Sequence, residues 1–282
     1  MVNLTIQLLR LATLLLKVLP LKLSDKIAGR IGIICHFLLK KRREYILKNL
    51  YHIFPEYRQK SMLDELAKRT FKNFALCMVD FLKLGFIEKE RIIEGVKPVN
   101  LENLAKALSY RRGGILLTLH IGNWDYAGAY LAAIGFPMLA LVEETEPEMF
   151  KLYTKNRERT GLRTYPVSKS AFAFIDAMKN NRILAVLADR DITKSGPVVN
   201  FFKGKRRIPY NLAEIVVKKN LPVVFGYMVL NPSKDTRYLG IVEPPAFFNE
   251  VDEFNRFMVK KFEETIKRYP DQWFVFQPEW VD

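Results

Sequence analysis

The residues best suited to chemistry are His120 and Asp125, five positions apart in Gly113-Gly114-Ile115-Leu116-Leu117-Thr118-Leu119-His120-Ile121-Gly122-Asn123-Trp124-Asp125. An unperturbed imidazole changes charge near neutral pH. A carboxylate on one ring nitrogen fixes the tautomer and leaves the other nitrogen free as a base. Two readings of the pair are open. In one, His120 is a general base oriented by Asp125. In the other, His120 ends a strand and Asp125 caps a helix. The chain holds 3 histidines and 30 acidic residues, so spacing alone does not choose between them.

The surrounding pattern says what must hold these side chains. The apolar run 115–119, led in by two glycines, predicts a short buried strand. Gly122-Asn123 is a turn signal, and the Ala-rich stretch 124–134 predicts a helix. A histidine at the carboxyl end of a core strand sits where an α/β sheet opens onto its ligand crevice. Residues 183–188 predict a second buried strand, with Asp189-Arg190-Asp191 emerging at its end in the same kind of position. Strands are also expected at 222–229, at 238–242 as an edge before Pro244-Pro245, and at 273–276. Helical spacing runs through 44–83 as two or more helices over the sheet, to a helix end at 178–181, and through 211–219 and 251–269. Strands alternating with helices predict an α/β fold with a largely parallel central sheet flanked by helices.

A chain of 282 residues can bury one large core. Cys35 and Cys77 lie in apolar surroundings and make no disulfide framework, which fits a reducing compartment. Spacings for a structural or catalytic metal and for a nucleotide-binding loop do not occur, so neither metal nor cofactor is expected. The net charge is +15, and residues 1–73 hold fifteen Lys/Arg against five Asp/Glu. These cations are interleaved with leucine and isoleucine rather than with stacking aromatics. The pattern suits an anionic bilayer surface better than nucleic acid.

Residues 4–20 are mostly aliphatic, with Gln7, Arg10, Thr13 and Lys17 on one stripe and Pro20 at the end. Mid-run cations oppose a spanning helix, so the segment is expected to lie in the interface with that stripe toward the headgroups; a single tilted span is the alternative. The apolar run 27–39 is too short to span and precedes Lys40-Lys41-Arg42-Arg43, a cationic anchor for anionic lipid. The expected organisation is a membrane-associating helical segment, 1–43, and a catalytic domain, 44–282. The run Lys203 to Arg207 reads as a solvated loop, with a surface for anionic lipid as the alternative, and Phe201 and Phe202 read as core rather than substrate wall.

His120-Ile-Gly-Asn-Trp-Asp125 resembles the H-x4-D motif of the lysophospholipid acyltransferase superfamily. It is most similar to the branch of bacterial lipid A biosynthesis (lauroyl/myristoyl) acyltransferases and phosphatidylinositol mannoside acyltransferases. Further matches follow in order: Arg43 with Asn49-Leu50 and Phe54-Pro55-Glu56, Asn156-Arg157-Glu158-Arg159 with Gly161, Ala188-Asp189-Arg190-Asp191 with Gly196 and Phe201-Phe202-Lys203-Gly204, Leu221-Pro222-Val223-Val224, and Gln272-Trp273-Phe274. The lipid A group often has glutamate where this chain has Asp125, and the Asn-Trp-Asp form looks more like the mannoside enzymes.

The resemblance implies acyl transfer from a thioester donor, acyl carrier protein or acyl-coenzyme A, to a hydroxyl of a membrane lipid or glycolipid at the cytoplasmic face. It makes His120 and Asp125 the catalytic pair and places Asn123, Arg157, Arg159 and Arg190 on the substrate. Backbone N–H groups near Gly122-Asn123 are the candidates for the oxyanion site. No enzyme nucleophile is required, because a thiolate already leaves well, and no G-x-S-x-G elbow is present. A non-catalytic lipid-binding protein and an acyl-thioester hydrolase remain as other readings.

Overall fold

The computed structural model describes residues 2–56 and 60–281. The first residue of the expected 1–43 segment, positions 57–59 within the expected 44–83 helices, and the last residue of the expected 44–282 domain lie outside them. The chain begins with four helices, α1 (Val2–Val18), α2 (Leu21–Leu38), α3 (Lys40–Ile53) and α4 (Lys60–Lys83). Strands then alternate with helices: α5 (Lys89–Glu94), β1 (Val96–Val99), α6 (Glu102–Ser109), β2 (Gly114–Thr118), α7 (Trp124–Ala133), β3 (Met138–Val142), α8 (Pro147–Glu158), β4 (Arg163–Pro166), α9 (Ser170–Lys179) and β5 (Ile183–Leu187). The remainder is β6 (Val198–Phe201), β7 (Gly204–Arg207), α10 (Tyr210–Lys218), β8 (Val223–Leu230), β9 (Tyr238–Val242), α11 (Val251–Arg268) and β10 (Trp280–Val281).

Seven strands form one sheet in the order β1-β9-β8-β2-β5-β3-β4, parallel except where β8 meets β9. The central strands are buried on both faces, which is why they read as unbroken apolar runs. Ile115, Leu117, Leu184, Val186 and Phe225 face one core cluster, and Leu116, Ala185, Val224 and Met228 face the other. β6, β7 and β10 make a small antiparallel sheet.

Three strand expectations change. Tyr238–Val242 is not an edge, because β1 pairs in parallel on its outer side. β1 itself holds Pro98, which an edge strand tolerates. Residues 273–276 are not a strand; Trp273 makes an isolated bridge to Ile121, and the last strand is Trp280–Val281. Lys203 to Arg207 is not a loop either. It supplies β7, and Arg206 is among the most buried side chains of the protein.

α2 lies along α4. The approach is closest at Gly32, where a Cβ would fall 2.6 Å from the Phe71 carbonyl oxygen. The opposite face of α2 exposes Ile27, Ile31, Ile34 and Leu38, a single stripe at helical spacing. α1 exposes Leu8, Leu11, Leu15 and Val18 in the same manner. Two residues of its polar stripe have protein partners while staying exposed: Arg10 pairs with Glu148 of α8, and Lys17 lies over Phe86. No helix among the described residues is long and apolar enough to cross a membrane.

Candidate active site

β2 and β5 are neighbours in register, with Thr118 opposite Leu187. Two residues beyond each partner come His120 and Asp189, so parallel pairing delivers both side chains to one point at the carboxyl ends of the strands. His120 Nδ1 lies 2.7 Å from Asp189 Oδ1, and the His120 backbone N–H donates to the same oxygen at 3.1 Å. The second oxygen, Oδ2, accepts from the Trp273 indole N–H at 2.8 Å. An ionised carboxylate only accepts, so Nδ1 carries the proton and Nε2 is the ring nitrogen left as a base.

The side chain of Asp189 is fully buried while that of His120 is 18% exposed. Burial alone would raise the Asp189 pKa. The His120 charge and hydrogen bond, the Arg206 charge and the Trp273 donor together outweigh burial and hold it below the ordinary carboxylate range.

Asp125 does not occupy the place expected for it. Its Oδ1 accepts from Arg157 Nε at 2.6 Å, and the carboxylate on His120 Nδ1 is Asp189. Helical geometry supplies the reason: Asp125 is the second residue of α7 and meets α8, whereas the His120 ring turns toward β5. Asp125 is not the helix cap either. Asn123 fills that role, its side-chain oxygen accepting from Tyr126 N–H at 3.0 Å.

Asn123 is buried, and its amide donates to the Cys77 carbonyl and the Tyr238 hydroxyl, so it is committed to structure rather than free for a substrate. The backbone N–H groups of Gly122 and Asn123 donate to the carbonyls of Gln272 and Met228, which withdraws the expected oxyanion donors. Gly122 has φ 56° and a Cβ there would overlap the Met228 oxygen at 1.9 Å, so this turn requires glycine.

A cavity of about 600 Å³ opens beside this pair, within the usual range for small-molecule sites. His120, Asp125, Arg157 and Arg190 all line it. One arm passes beneath α7 and is walled by Leu116, Leu131, Gly226, Gly240 and Val242. It runs from β2 past β8 and β9 to Pro98 of β1, three inter-strand steps or about 14 Å.

The three arginines divide. Arg157 lies over the Phe81 and Tyr153 rings and, among the described residues, is hydrogen-bonded only through Nε, to Asp125, which leaves its terminal nitrogens for a ligand. Arg190 lines the cavity with all three nitrogens engaged, by Glu279, Glu143 and Gln277. Arg159 does not line it. Its guanidinium caps the carbonyls of Leu84, Phe86 and Ile87 after α4, where a cation suits the helix terminus.

Cys77 is buried, and burial pushes its thiol pKa up, so it is no thiolate nucleophile. Among the described residues no group of three or more His, Cys, Asp or Glu is placed to hold a metal.

The family model described as bacterial lipid A biosynthesis acyltransferase matches residues 3–282. The chain is 25% identical over 232 residues to a phosphatidylinositol mannoside acyltransferase of Mycolicibacterium smegmatis, covering 77% of this chain and 73% of that protein. It is also 25% identical over 253 residues to the Mycobacterium tuberculosis protein of the same name, covering 84% and 77%. A lipid A biosynthesis acyltransferase of Haemophilus influenzae is 25% identical over 191 residues, 67% of this chain and 60% of that protein.

Proposed function

The chain belongs to the bacterial lipid A biosynthesis acyltransferase family and is an acyltransferase, and from that premise we propose that it moves a fatty acyl chain from a thioester to a lipid hydroxyl, with His120 as base and Asp189 as its partner. The observation that carries this reading is the His120–Asp189 pair at the head of an apolar arm. His120 Nε2 takes the proton of the acceptor hydroxyl as its oxygen attacks the thioester carbonyl. Asp189 stabilises the imidazolium that forms. The tetrahedral oxyanion faces the free nitrogens of Arg157, which Asp125 holds in place. Collapse breaks the C–S bond, and the thiolate takes the proton back from His120. The acyl chain lies in the arm beneath α7, along the apolar residues that wall it. Acyl carrier protein or acyl-coenzyme A supplies the thioester. The acceptor is a membrane lipid or glycolipid of the kind named in the relatives.

Residues 1–43 form the membrane-associating segment of this scheme and 44–282 the acyltransferase domain, seated peripherally on the cytoplasmic face. Support comes from the exposed apolar stripes of α1 and α2 beside Lys40-Lys41-Arg42-Arg43. Each such side chain withdrawn from water contributes about 1.5–3 kcal/mol. The double variant Leu11→Glu/Ile31→Glu alters only exposed positions and is expected to float at least ~10-fold less with anionic vesicles. Raising the salt is expected to weaken wild-type flotation as well. Unchanged flotation of the double variant would remove the membrane-seating role of these stripes.

The activity itself is tested by giving the purified protein an acyl-coenzyme A or an acyl carrier protein thioester, with and without glycolipid acceptor, and weighing the lipids by mass spectrometry. The expected product is acceptor plus one acyl group, one per thiol released. Thiol release indifferent to the acceptor, with no acylated lipid, would make the protein a hydrolase instead.

A further inference from the structure

We propose that Arg206 is a positioning residue for acyl transfer, a buried cation that balances the Asp189 carboxylate and so keeps His120 ready as a base. The inference rests on the His120–Asp189 reading above. Arg206 lies on β7 and is 2% exposed. None of its three guanidinium nitrogens has a hydrogen-bond partner among the described residues. It is boxed by aromatic rings instead, with its central carbon 4.9 Å from the Trp273 centroid and 5.4 Å from those of Phe201 and Trp280. Its nearest carboxylate, Glu279, stands at 4.0 Å, the far limit of an ion pair. Burial lowers the Arg206 pKa to about 10, opposed by Asp189 and Glu279, and it remains a cation at neutral pH.

A buried guanidinium without hydrogen bonds is costly, and an apolar side chain of similar volume fills such a box without that cost. The charge therefore needs a purpose, and the neighbouring groups show one. Asp125 and Arg157 offset each other at the cavity wall. Arg190 is offset by Glu279 and Glu143. Asp191 accepts from the N–H groups of Thr193 and Gly196 in its own loop. His52 of α3 stacks on the far Trp280 ring. That leaves Asp189, whose hydrogen-bond donors among the described residues, the His120 ring, the His120 backbone and the Trp273 indole, are all neutral before proton transfer. Arg206 supplies the missing positive charge from behind Trp273, the same ring that donates to Asp189.

The sign of the effect follows. Without Arg206, a lone buried carboxylate beside the imidazole draws a proton onto the pair, and His120 meets substrate already protonated. Two measurements on the full-length protein test this: the pH profile of kcat/KM, and the NMR titration of the His120 ring, one of 3 histidines and assignable with a His120→Asn variant. Arg206→Met is expected to move both midpoints up by about one pH unit, about tenfold less active on the acid side and recovering at higher pH. Arg206→Lys, which keeps the charge, is expected to hold the wild-type midpoints. If Arg206→Met does not fold, Glu279→Gln takes its place. It removes a carboxylate near Arg206 and is expected to move the His120 titration down.

A uniform loss with unmoved midpoints in Arg206→Met overturns the proposal. So does Arg206→Lys shifting as far as Arg206→Met, or an unmoved Glu279→Gln. The ring titration needs no turnover, so failure of the acyl-transfer reading itself shows separately, as an inactive wild type.

Discussion

Asp189→Asn is expected to lower kcat/KM for acyl transfer by about 10⁴-fold with the fold retained, the loss known for a comparable His–Asp pair. The Asp189 carboxylate accepts from His120 Nδ1 and from Trp273, and can do nothing but accept. An asparagine amide at that position can donate to Nδ1, which places the ring proton on Nε2 and removes the base. It also withdraws the negative charge that the imidazolium needs after it takes the proton. Asp125→Asn should act by a different route, because Asp125 holds Arg157. A double-mutant cycle separates the two. Asp125→Asn and Arg157→Gln are expected to be strongly non-additive in ΔΔG‡, since either change removes one charge of the same ion pair, while Asp189→Asn and Arg157→Gln should add. If instead Asp189→Asn is nearly silent and Asp125→Asn couples to changes at His120, then Asp125 is the partner of the histidine and the geometry here is not the working one.

The local parts of this site were legible in the sequence. The apolar run before His120 and the turn-then-helix after it correspond to β2 and α7, and the run before Asp189 corresponds to β5. Each depends on neighbours within a few positions, where hydrophobic period and turn chemistry speak directly. The pairing of His120 with Asp189 is a different kind of fact. It joins residues 69 apart and exists only because β5 lies beside β2 with Thr118 opposite Leu187. The usable signal was that both strands end on a titratable residue; strand adjacency was missing, and the nearer acid, Asp125, took its place.

Arg206 was hidden for a related reason. Within Gly204-Lys205-Arg206-Arg207 every residue but the glycine is cationic, so no contrast marks the inward position of an alternating strand. Only pairing with Val199 on one side and Trp280 on the other turns it inward. β1 escaped notice because four residues with a lysine and a proline carry too little pattern, although they cover the outer side of β9.

His120→Ala is expected to cost at least 10²–10⁴-fold in acyl transfer, the usual contribution of a general base. Loss of activity alone does not show that a base has gone, because deleting the ring also strips Asp189 of a donor. His120→Asn separates the two effects. Its amide reaches about where Nδ1 lies and can donate to Asp189, yet nothing in it replaces Nε2. Both variants should therefore be equally inactive while differing in stability. At neutral pH the alanine variant leaves a buried carboxylate short of one hydrogen bond, which costs about 1–3 kcal/mol. The asparagine variant should stay near wild type.

The gap must also depend on pH in a defined direction. The folded-state pKa of Asp189 is depressed, so the stability it contributes is fully present above the unfolded carboxylate value of about 3.9 and is lost as pH falls through the lower folded value. Deleting the ring raises that folded pKa. The wild-type advantage over His120→Ala should then be constant from neutral pH down to about 4 or 5 and shrink as the medium becomes more acid. Denaturant unfolding of the three proteins across this range, alongside steady-state acyl transfer at neutral pH, measures both halves. Should His120→Asn retain near-normal turnover, no base acts at Nε2. Should His120→Ala match wild-type stability at every pH, the ring does not support the buried carboxylate.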